Sequence, residues 1–276
     1  MIKKIAICVN ETENRDNTIR VASRFANEHN ADLLGVYILT NEPLIVPQFG
    51  AISVDMASVM YETQKRSAAE AKEAFLEITE PLGLKVSWVA VEDYRDAFRH
   101  YAYADLIITD QIDYDPTRSF SNAGLVNNMI LDTGKPVVII PADWDRTTFG
   151  QKLLLGWDES RESARALQDA MPLLKVAEHT DVVYVRSSAK SVDSDDGYAQ
   201  IAPYLEQRNV KSTFHHAFLD KDNHTIGDVL LSKAHKKASD LIVIGAYGHT
   251  RLREIILGGV TRKIMRESKV PVLLAH

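Results

Sequence analysis

The sequence contains the same unit twice, and this repeat constrains the fold more strongly than any other feature. Two pairs of segments resemble each other, YADLIITD with ASDLIVIG and GKPVVIIPA with KVPVLLAH. Asp105 and Asp240 lie 135 positions apart in the chain, and the same distance separates Pro136 from Pro271. Two matches at one offset, without gaps, predict a chain that is built from two similar halves.

Each half alternates short β-branched runs with stretches of helical periodicity. The strand-like runs are KIAICV, DLLGVYIL, KVSWVAV, DLIITD and PVVIIP in the first half, and LLLGWD, DVVYVR, STFHHAF, DLIVIG and PVLLA in the second. Such alternation is typical of βαβ units around a mostly parallel sheet. We therefore predict an α/β protein of two repeated domains, residues 1–142 and 150–276. Each domain is expected to form a five-stranded, mostly parallel open sheet flanked by helices.

Composition and charge exclude several classes of protein. The formal net charge of −6 and the pI near 5.9 argue against a nucleic-acid-binding surface. A single cysteine, Cys8, rules out an intramolecular disulfide. The N-terminus turns polar too early for a signal peptide, and no apolar run approaches the roughly 18 residues of a membrane span. We expect a cytoplasmic protein that binds neither nucleic acid nor membrane.

Four of the thirteen glycines fall in GAYGHTRLREIILGGVT, at 245–261, between a predicted strand and a predicted helix. Ligands of open parallel sheets usually bind beyond the carboxyl ends of the strands. Glycine lets the backbone approach a ligand closely, and a helix beginning near Gly258 and Gly259 would offer free N–H groups to an anion. The glycines therefore indicate a loop around a di- or triphosphate. Tight turns and close packing are the alternative explanation.

The spacing of Gly245, Gly248 and Gly258 resembles the nucleotide-binding signature of the universal stress protein (UspA) family. The segment SKVPVLLA is similar to the closing strand of that family, and LLLGWDESRESARAL to its opening strand, acidic residue and first helix. The first half shares the strand order, so the whole chain resembles a tandem universal stress protein. The resemblance implies a Rossmann-type fold like that of adenine-nucleotide alpha-hydrolases. It also implies that the second half holds ATP or a related adenine nucleotide, with Mg²⁺.

The resemblance assigns a role to each part of the expected site. An acidic residue near ribose and adenine is matched by Asp158, and the backbone groups that read the adenine edge are matched by Val185 or Arg186. The family usually has Ser or Thr where this chain has Gly259, while Thr261 supplies a hydroxyl two positions later. Apart from the resemblance, His249 follows the second glycine directly and could approach the phosphates; the alternative is a solvent-exposed loop residue. The candidate binding residues are Asp158, Val185, Arg186, Gly245, Gly248, His249, Gly258, Gly259, Val260 and Thr261.

The first half has lost the chemistry of this site. At the offset of 135 positions, Asp110 corresponds to Gly245 and Asp113 corresponds to Gly248. Two carboxylates would then face a bound phosphate, and like charges repel strongly in a desolvated site. We expect the first half to reject ATP and the chain to bind one nucleotide.

These features predict a nucleotide-binding stress-response module rather than an enzyme. The sequence has no nucleophile-elbow, Walker A or HExxH motif, and its histidines lack the spacing of a zinc site. We expect no catalytic residue, no metal-ligating cluster and at most weak ATP hydrolysis. The alternative is a nucleotide-independent adaptor or scaffold, with an apolar ligand or a protein partner bound at the Met-bearing segment 40–78 of the first half.

The closing strands of the two halves predict how the halves associate. Dimers of the universal stress protein family commonly pair their last strands. In this chain PVVIIP and PVLLAH can pair within one molecule, which hides two edges that would otherwise attract other chains. We expect an intramolecular pseudo-dimer. Whether two such chains also form a homodimer is not decided by the sequence.

Overall fold

A computed structural model describes residues 1–9, 12–39, 54–111, 120–186, 197–219, 225–246 and 259–276, with the backbone alone for 54–57 and 120–124. The strands of the first half are β1 (Lys4–Cys8), β2 (Asp32–Ile38), β3 (Val86–Val91), β4 (Leu106–Asp110) and β5 (Val137–Ile140). The strands of the second half are β6 (Lys152–Trp157), β7 (His179–Arg186), β8 (Ser212–Phe218), β9 (Leu241–Gly245) and β10 (Val272–Ala275). All ten strand-like runs of the sequence therefore form strands, and this prediction is confirmed.

Helices connect the strands as the periodicity predicts. They are α1 (Arg15–His29), α2 (Val54–Thr79), α3 (Tyr94–Tyr101), α4 (Phe120–Asp132), α5 (Arg161–Leu174), α6 (Ile201–Glu206), α7 (Ile226–Lys236) and α8 (Gly259–Glu267). A short 3₁₀ turn, Glu80–Leu82, follows α2. Among the helices within the described ranges, none combines the length and the apolar composition that a membrane span requires.

The chain forms two compact units, Ile2–Asp110 and Gln111–His276. In the first unit the strand order is β3-β2-β1-β4, and its three strand pairs are parallel. In the second unit the order is β5-β10-β9-β6-β7-β8, where the β5–β10 pair is antiparallel and the other four pairs are parallel. Both units are thus mostly parallel sheets flanked by helices, which is the predicted α/β fold class.

Parallel strands in the second unit are buried on both faces. Leu241, Ile242 and Val243 of β9 are fully buried although successive side chains of a strand point to opposite faces. α5 packs against β9 and β10, and α7 packs against β6 and β7. Because helices cover both faces of the sheet, the strand sequences are continuous apolar runs and do not alternate between apolar and polar residues.

The closing strands of the two halves pair with each other, as predicted. In the antiparallel β5–β10 ladder, Val138 lies opposite Leu273 and Ile139 lies opposite Val272. The compact unit therefore begins at Gln111, ahead of β5, whereas the predicted domain bounds of 1–142 and 150–276 follow the repeat. Those bounds stay a prediction, as does the pseudo-dimer.

The aspartate of the repeated motif performs the same structural task in both units. Asp105 accepts hydrogen bonds from the main-chain N–H groups of residues 3 and 4, at 2.7 and 3.0 Å. Asp240 is buried and accepts from the N–H groups of residues 150–152, at 2.9 to 3.0 Å. Each carboxylate anchors the chain where it enters the first strand of its half, which gives the repeat a physical cause.

Replacing Asp240 with alanine is expected to destabilise the protein. Three main-chain N–H groups would lose their acceptor, at a cost of about 1–3 kcal/mol in the free energy of unfolding. Asp240→Asn keeps one carbonyl oxygen and should cost less. Urea denaturation measures both changes, with the exposed Asp145→Ala variant as control. Equal unfolding midpoints for Asp240→Ala and Asp145→Ala would contradict the anchoring role.

Candidate functional site

A cavity of about 400 Å³ lies at the carboxyl ends of β6, β7 and β9. From β6 the chain proceeds to β7 and β8 on one side, whereas β9 and β10 lie on the other side. The strand order therefore reverses between β6 and β9, and open α/β sheets bind their ligands at such a point. The volume falls within the range of sites for small molecules, roughly 300–1,000 Å³.

The wall of the cavity has an apolar part and a polar part. Strands β7 and β9 and helix α7 supply the apolar side chains, which are Val183, Val185, Ile226, Leu230 and Ile244. The end of β6 and the first turns of α5 and α8 supply the polar side chains, which are Asp158, Ser160, Glu162, Ser163 and Thr261. Gly156, Trp157, Gly245, Gly259 and Val260 complete the described lining.

Asp158 stands at the rim of the cavity, directly after β6, and is exposed. Its Oδ1 atom accepts hydrogen bonds from the backbone N–H of Ser160 at 3.1 Å and from the Ser160 hydroxyl at 2.5 Å. Ser160 in turn caps α5, because its hydroxyl oxygen accepts from the N–H of Ser163 at 3.1 Å. The start of α5 therefore holds the Asp158 carboxylate in place.

Gly245 is required by close packing at the end of β9. A Cβ atom at this position would lie 2.4 Å from the carbonyl carbon of Glu162 and 2.6 Å from the backbone nitrogen of Ser163. Both are backbone atoms of the first turn of α5, so no side-chain movement can relieve the contact. The close-packing alternative therefore explains this glycine, and the packing brings the start of α5 to the cavity.

Gly259 stands in a different environment. It is the first described residue of α8, and a Cβ atom built on it would meet no atom of the described residues within 4 Å. Val260 is half-buried and Thr261 is buried, and both line the cavity with Gly259. The first turn of α8 thus presents its main chain to the cavity, and the N-terminal N–H groups of a helix carry its positive dipole end.

Of the two residues proposed for adenine recognition, Val185 lies at the cavity. Leu219 N–H donates to the carbonyl oxygen of Arg186 at 3.0 Å, so the main chain of Arg186 faces β8. Main-chain groups alternate in direction along a strand, so those of Val185 face the β6 side. The Arg186 guanidinium lies 5.1 Å from the centroid of the Tyr184 ring. The geometry favours Val185 over Arg186.

Three predicted site residues, Gly248, His249 and Gly258, lie outside the described residues, and their roles stay predictions. Asp113, in the first half, also lies outside them.

Asp110 is buried and its carboxylate accepts a hydrogen bond from the Thr12 hydroxyl. A carboxylate thus occupies the position that Gly245 holds in the second half, and the expected rejection of ATP by the first half stays a prediction. Segment 40–53 of the alternative site is likewise outside the described residues.

The described lining of the cavity is negatively charged. Asp158 and Glu162 both line it, and within the described residues no lysine, arginine or histidine does. Glu162 forms an ion pair with Arg161 at 3.0 Å and its side chain is 13% exposed. Among the described residues there is also no group of three or more His, Cys, Asp or Glu side chains able to hold a metal ion. Within the described lining, the first turn of α8 is the part that favours an anionic ligand.

The capping box at the start of α7 contains a carboxylate that also forms an ion pair with α8. Thr225 caps α7 by accepting from the N–H of Asp228, and the Asp228 carboxylate accepts from the N–H and the hydroxyl of Thr225, each at 2.8 Å. Lys263 of α8 pairs with the same carboxylate at 3.0 Å. The Thr225 N–H bond, followed by the Lys263 ammonium and the Thr225 hydroxyl, lowers the pKa of Asp228 to about 2.

The helical periodicity of the sequence predicts α7 and α8, but several residues of the cavity wall were not predicted. The Thr-x-x-Asp spacing of residues 225–228 is a signal for a capping box that was available in the sequence. Ser160 and Ser163 carry a weaker signal as the first turn of a helix. Glu162 and Leu230 carry none, because only the packing of α5 and α7 brings them to the cavity.

Substitution of the two glycines by alanine should have opposite outcomes. Gly245→Ala forces the first turn of α5 away from β9 and should lower the free energy of unfolding by about 1–3 kcal/mol. Gly259→Ala meets no atom of the described residues and should change the free energy of unfolding by less than about 0.5 kcal/mol. Chemical denaturation of both variants measures the difference. Equal stabilities would contradict the close packing of β9 against α5.

The capping box predicts a dependence of stability on pH. Because the pKa of Asp228 is lowered, its contribution is complete above the ordinary carboxyl value of roughly 3.9 and is lost as the pH falls towards about 2. We expect Asp228→Asn to unfold at lower urea than the wild type at pH 7, and the gap to shrink at pH 2.5. A gap of the same size at both pH values would contradict this linkage.

The part of the chain that contains the cavity is similar to a known protein family. Residues 150–276 match the model of the Universal stress protein family. A universal stress protein of Synechocystis sp. is 42% identical over 36 residues, which are 13% of this chain and 12% of that protein. Another, of Methanocaldococcus jannaschii, is 35% identical over 60 residues, which are 21% of this chain and 37% of that protein. The chain therefore spans much less than two thirds of the length of either relative.

The fold of the whole chain is similar to a solved structure. The crystal structure of a universal stress protein from Archaeoglobus fulgidus superimposes with a TM-score of 0.77 at 16% identity, covering 99% of this chain and 95% of that one. At this level of identity the similarity concerns the fold. The universal stress protein family model matches residues 150–276, and the described lining of the cavity lies entirely within that range.

Proposed function

We propose that the C-terminal domain binds an adenine nucleotide, ATP together with Mg²⁺, and that the protein acts as a nucleotide-binding stress-response module. One observation carries the proposal. The cavity places an apolar cleft, a carboxylate and the start of a helix around one space, which are the three environments that a base, a ribose and a phosphate chain require.

The apolar cleft suits the base. Val183 and Val185 come from β7, and Ile226 and Leu230 come from α7, so two elements supply apolar walls for a flat ring. The main chain of Val185 faces the β6 side at the end of that strand, and we assign its carbonyl oxygen to the amino group of adenine. Pockets for small molecules commonly combine such apolar walls with a few polar groups that fix orientation.

The carboxylate suits the ribose. An ionised aspartate only accepts hydrogen bonds, and ribose hydroxyls can donate to it. Asp158 is exposed at the rim and is oriented by Ser160. This geometry supports the role that the family resemblance implies for Asp158.

The start of α8 suits the phosphates. Main-chain N–H groups and the positive end of the helix dipole favour an anion there, and no atom of the described residues lies within 4 Å of the Cβ position of Gly259. Asp158 and Glu162 oppose an uncompensated polyanion. Mg²⁺ is usually bound by one or two carboxylates together with substrate phosphates, and these are the two carboxylates of the described wall that could hold it. The ion would neutralise phosphate charge.

The proposal is one of binding, with hydrolysis at most weak. Nucleotide occupancy would report the energetic state of the cell to a protein partner. The first half takes no part in nucleotide binding on this view, because Asp110 fills the position equivalent to Gly245.

Calorimetric titration with ATP and Mg²⁺ tests the proposal. We expect about one nucleotide per chain, and we expect Asp158→Ala to weaken binding by about tenfold or more, since a hydrogen bond to a charged group contributes roughly 1.5–3 kcal/mol. The matched control is Asp145→Ala, an exposed aspartate away from the cavity. Absence of heat at millimolar nucleotide would reject the proposal, and a lipid found instead by native mass spectrometry would favour the scaffold alternative.

A further inference from the structure

Gln111 holds the end of α8 that lies away from the cavity. Its side-chain Nε2 donates to the carbonyl oxygen of Met265 at 2.8 Å and to that of Arg266 at 3.1 Å. The carbonyl oxygen of Ser268 lies 3.4 Å from the same nitrogen. One amide group therefore serves three carbonyl groups at the C-terminal end of the helix.

These carbonyl groups need a donor from elsewhere. The last four C=O groups of an α-helix have no partner within the helix, and donors near them also complement the negative end of the dipole. The N–H of Ser268 already bonds to the carbonyl of Ile264. Gln111 supplies the next donors from a position 154 residues earlier in the chain than Met265.

Gln111 is itself fixed in place by the end of β5. Its main-chain N–H donates to the carbonyl oxygen of Ile140 at 2.7 Å, and its side-chain Oε1 accepts from the N–H of Ala142 at 3.4 Å. The side chain thus joins the C-terminal end of α8 to the end of a strand within the same compact unit.

The repeat shows that the fold does not demand this side chain. Ala246 is the counterpart of Gln111, 135 positions later. Its N–H donates to the carbonyl oxygen of Ala275 at 2.8 Å, which reproduces the bond from Gln111 to Ile140. The main-chain contact is common to both copies, but the alanine side chain has no amide group that could donate to a helix end. The cap on the helix is therefore an addition that only the Gln111 copy makes.

The consequence concerns the other end of the same helix. α8 has nine residues, so its two ends are roughly 13 Å apart. Lys263 holds its side through the ion pair to Asp228 of α7. Gln111 holds its C-terminal end, and a short helix transmits a shift of one end to the other.

We propose that Gln111 is a positioning residue for the phosphate end of the site. By holding the last carbonyl groups of α8, it fixes where the N–H groups of residues 259–261 lie. This inference rests on the proposed binding of a nucleotide in the cavity. It predicts an effect on the phosphate chain of the ligand and none on the base and ribose, which contact β6, β7 and α7.

Two ligands and three variants test the inference. Gln111→Glu has the same shape but only accepts hydrogen bonds, so it repels the carbonyl groups. We expect it to weaken Mg²⁺–ATP about five- to tenfold in calorimetry while adenosine stays within about twofold, and Gln111→Ala to lie between it and the wild type. Gln111→Lys restores a donor for the helix end and should recover most of the ATP affinity.

The control variant is Gln207→Glu, which makes the same chemical change at an exposed glutamine of the unit. Thermal unfolding of every variant shows that it is folded. If Gln111→Glu leaves the ratio of ATP affinity to adenosine affinity unchanged, this inference alone is overturned. That holds whether neither affinity falls or both fall by the same factor. Absence of ATP binding by the wild type would overturn the proposed function, and this inference with it.

Discussion

The first turn of α5 lies directly against the end of β9, and the rest of the site depends on this contact. It exists because Gly245 has no side chain, since a Cβ atom would approach Glu162 backbone atoms to 2.4 Å. With α5 in this position, Ser160 can cap the helix and fix the Asp158 carboxylate at the rim of the cavity. A single missing side chain thus determines where the acidic wall of the cavity stands.

The other walls are held by polar contacts at helix ends. The capping box at Thr225 begins α7, and the Asp228–Lys263 ion pair connects α7 to α8. Gln111 fixes the far end of α8. Apolar burial forms the sheet and its covering, while these few directional contacts set the positions of the helices that reach the cavity. The positions of the helices relative to the parallel sheet therefore determine the shape of the cavity.

The fold could be predicted from the sequence because buried parallel strands are apolar runs and because each run occurs twice. The pairing of β5 with β10 was expected from the resemblance to the universal stress protein family, whose dimers commonly pair their last strands. The site was predicted less completely. Nothing local in the sequence shows that Gly245 meets α5 or which of Val185 and Arg186 faces the cavity, since both depend on packing and strand register. Gln111 was not predicted because the carbonyl groups of α8 that it holds lie more than 150 positions away.

The geometry supports phosphate binding by the main chain at the start of α8, and nuclear magnetic resonance tests this most directly. The amide signals of Gly259, Val260 and Thr261 would be followed while ¹⁵N-labelled protein is titrated with Mg²⁺–ATP and, separately, with adenosine. We expect these three signals to move with ATP far more than with adenosine, and the Val185 signal to move with both. Saturation by ATP without movement of the three signals would contradict phosphate binding at this helix.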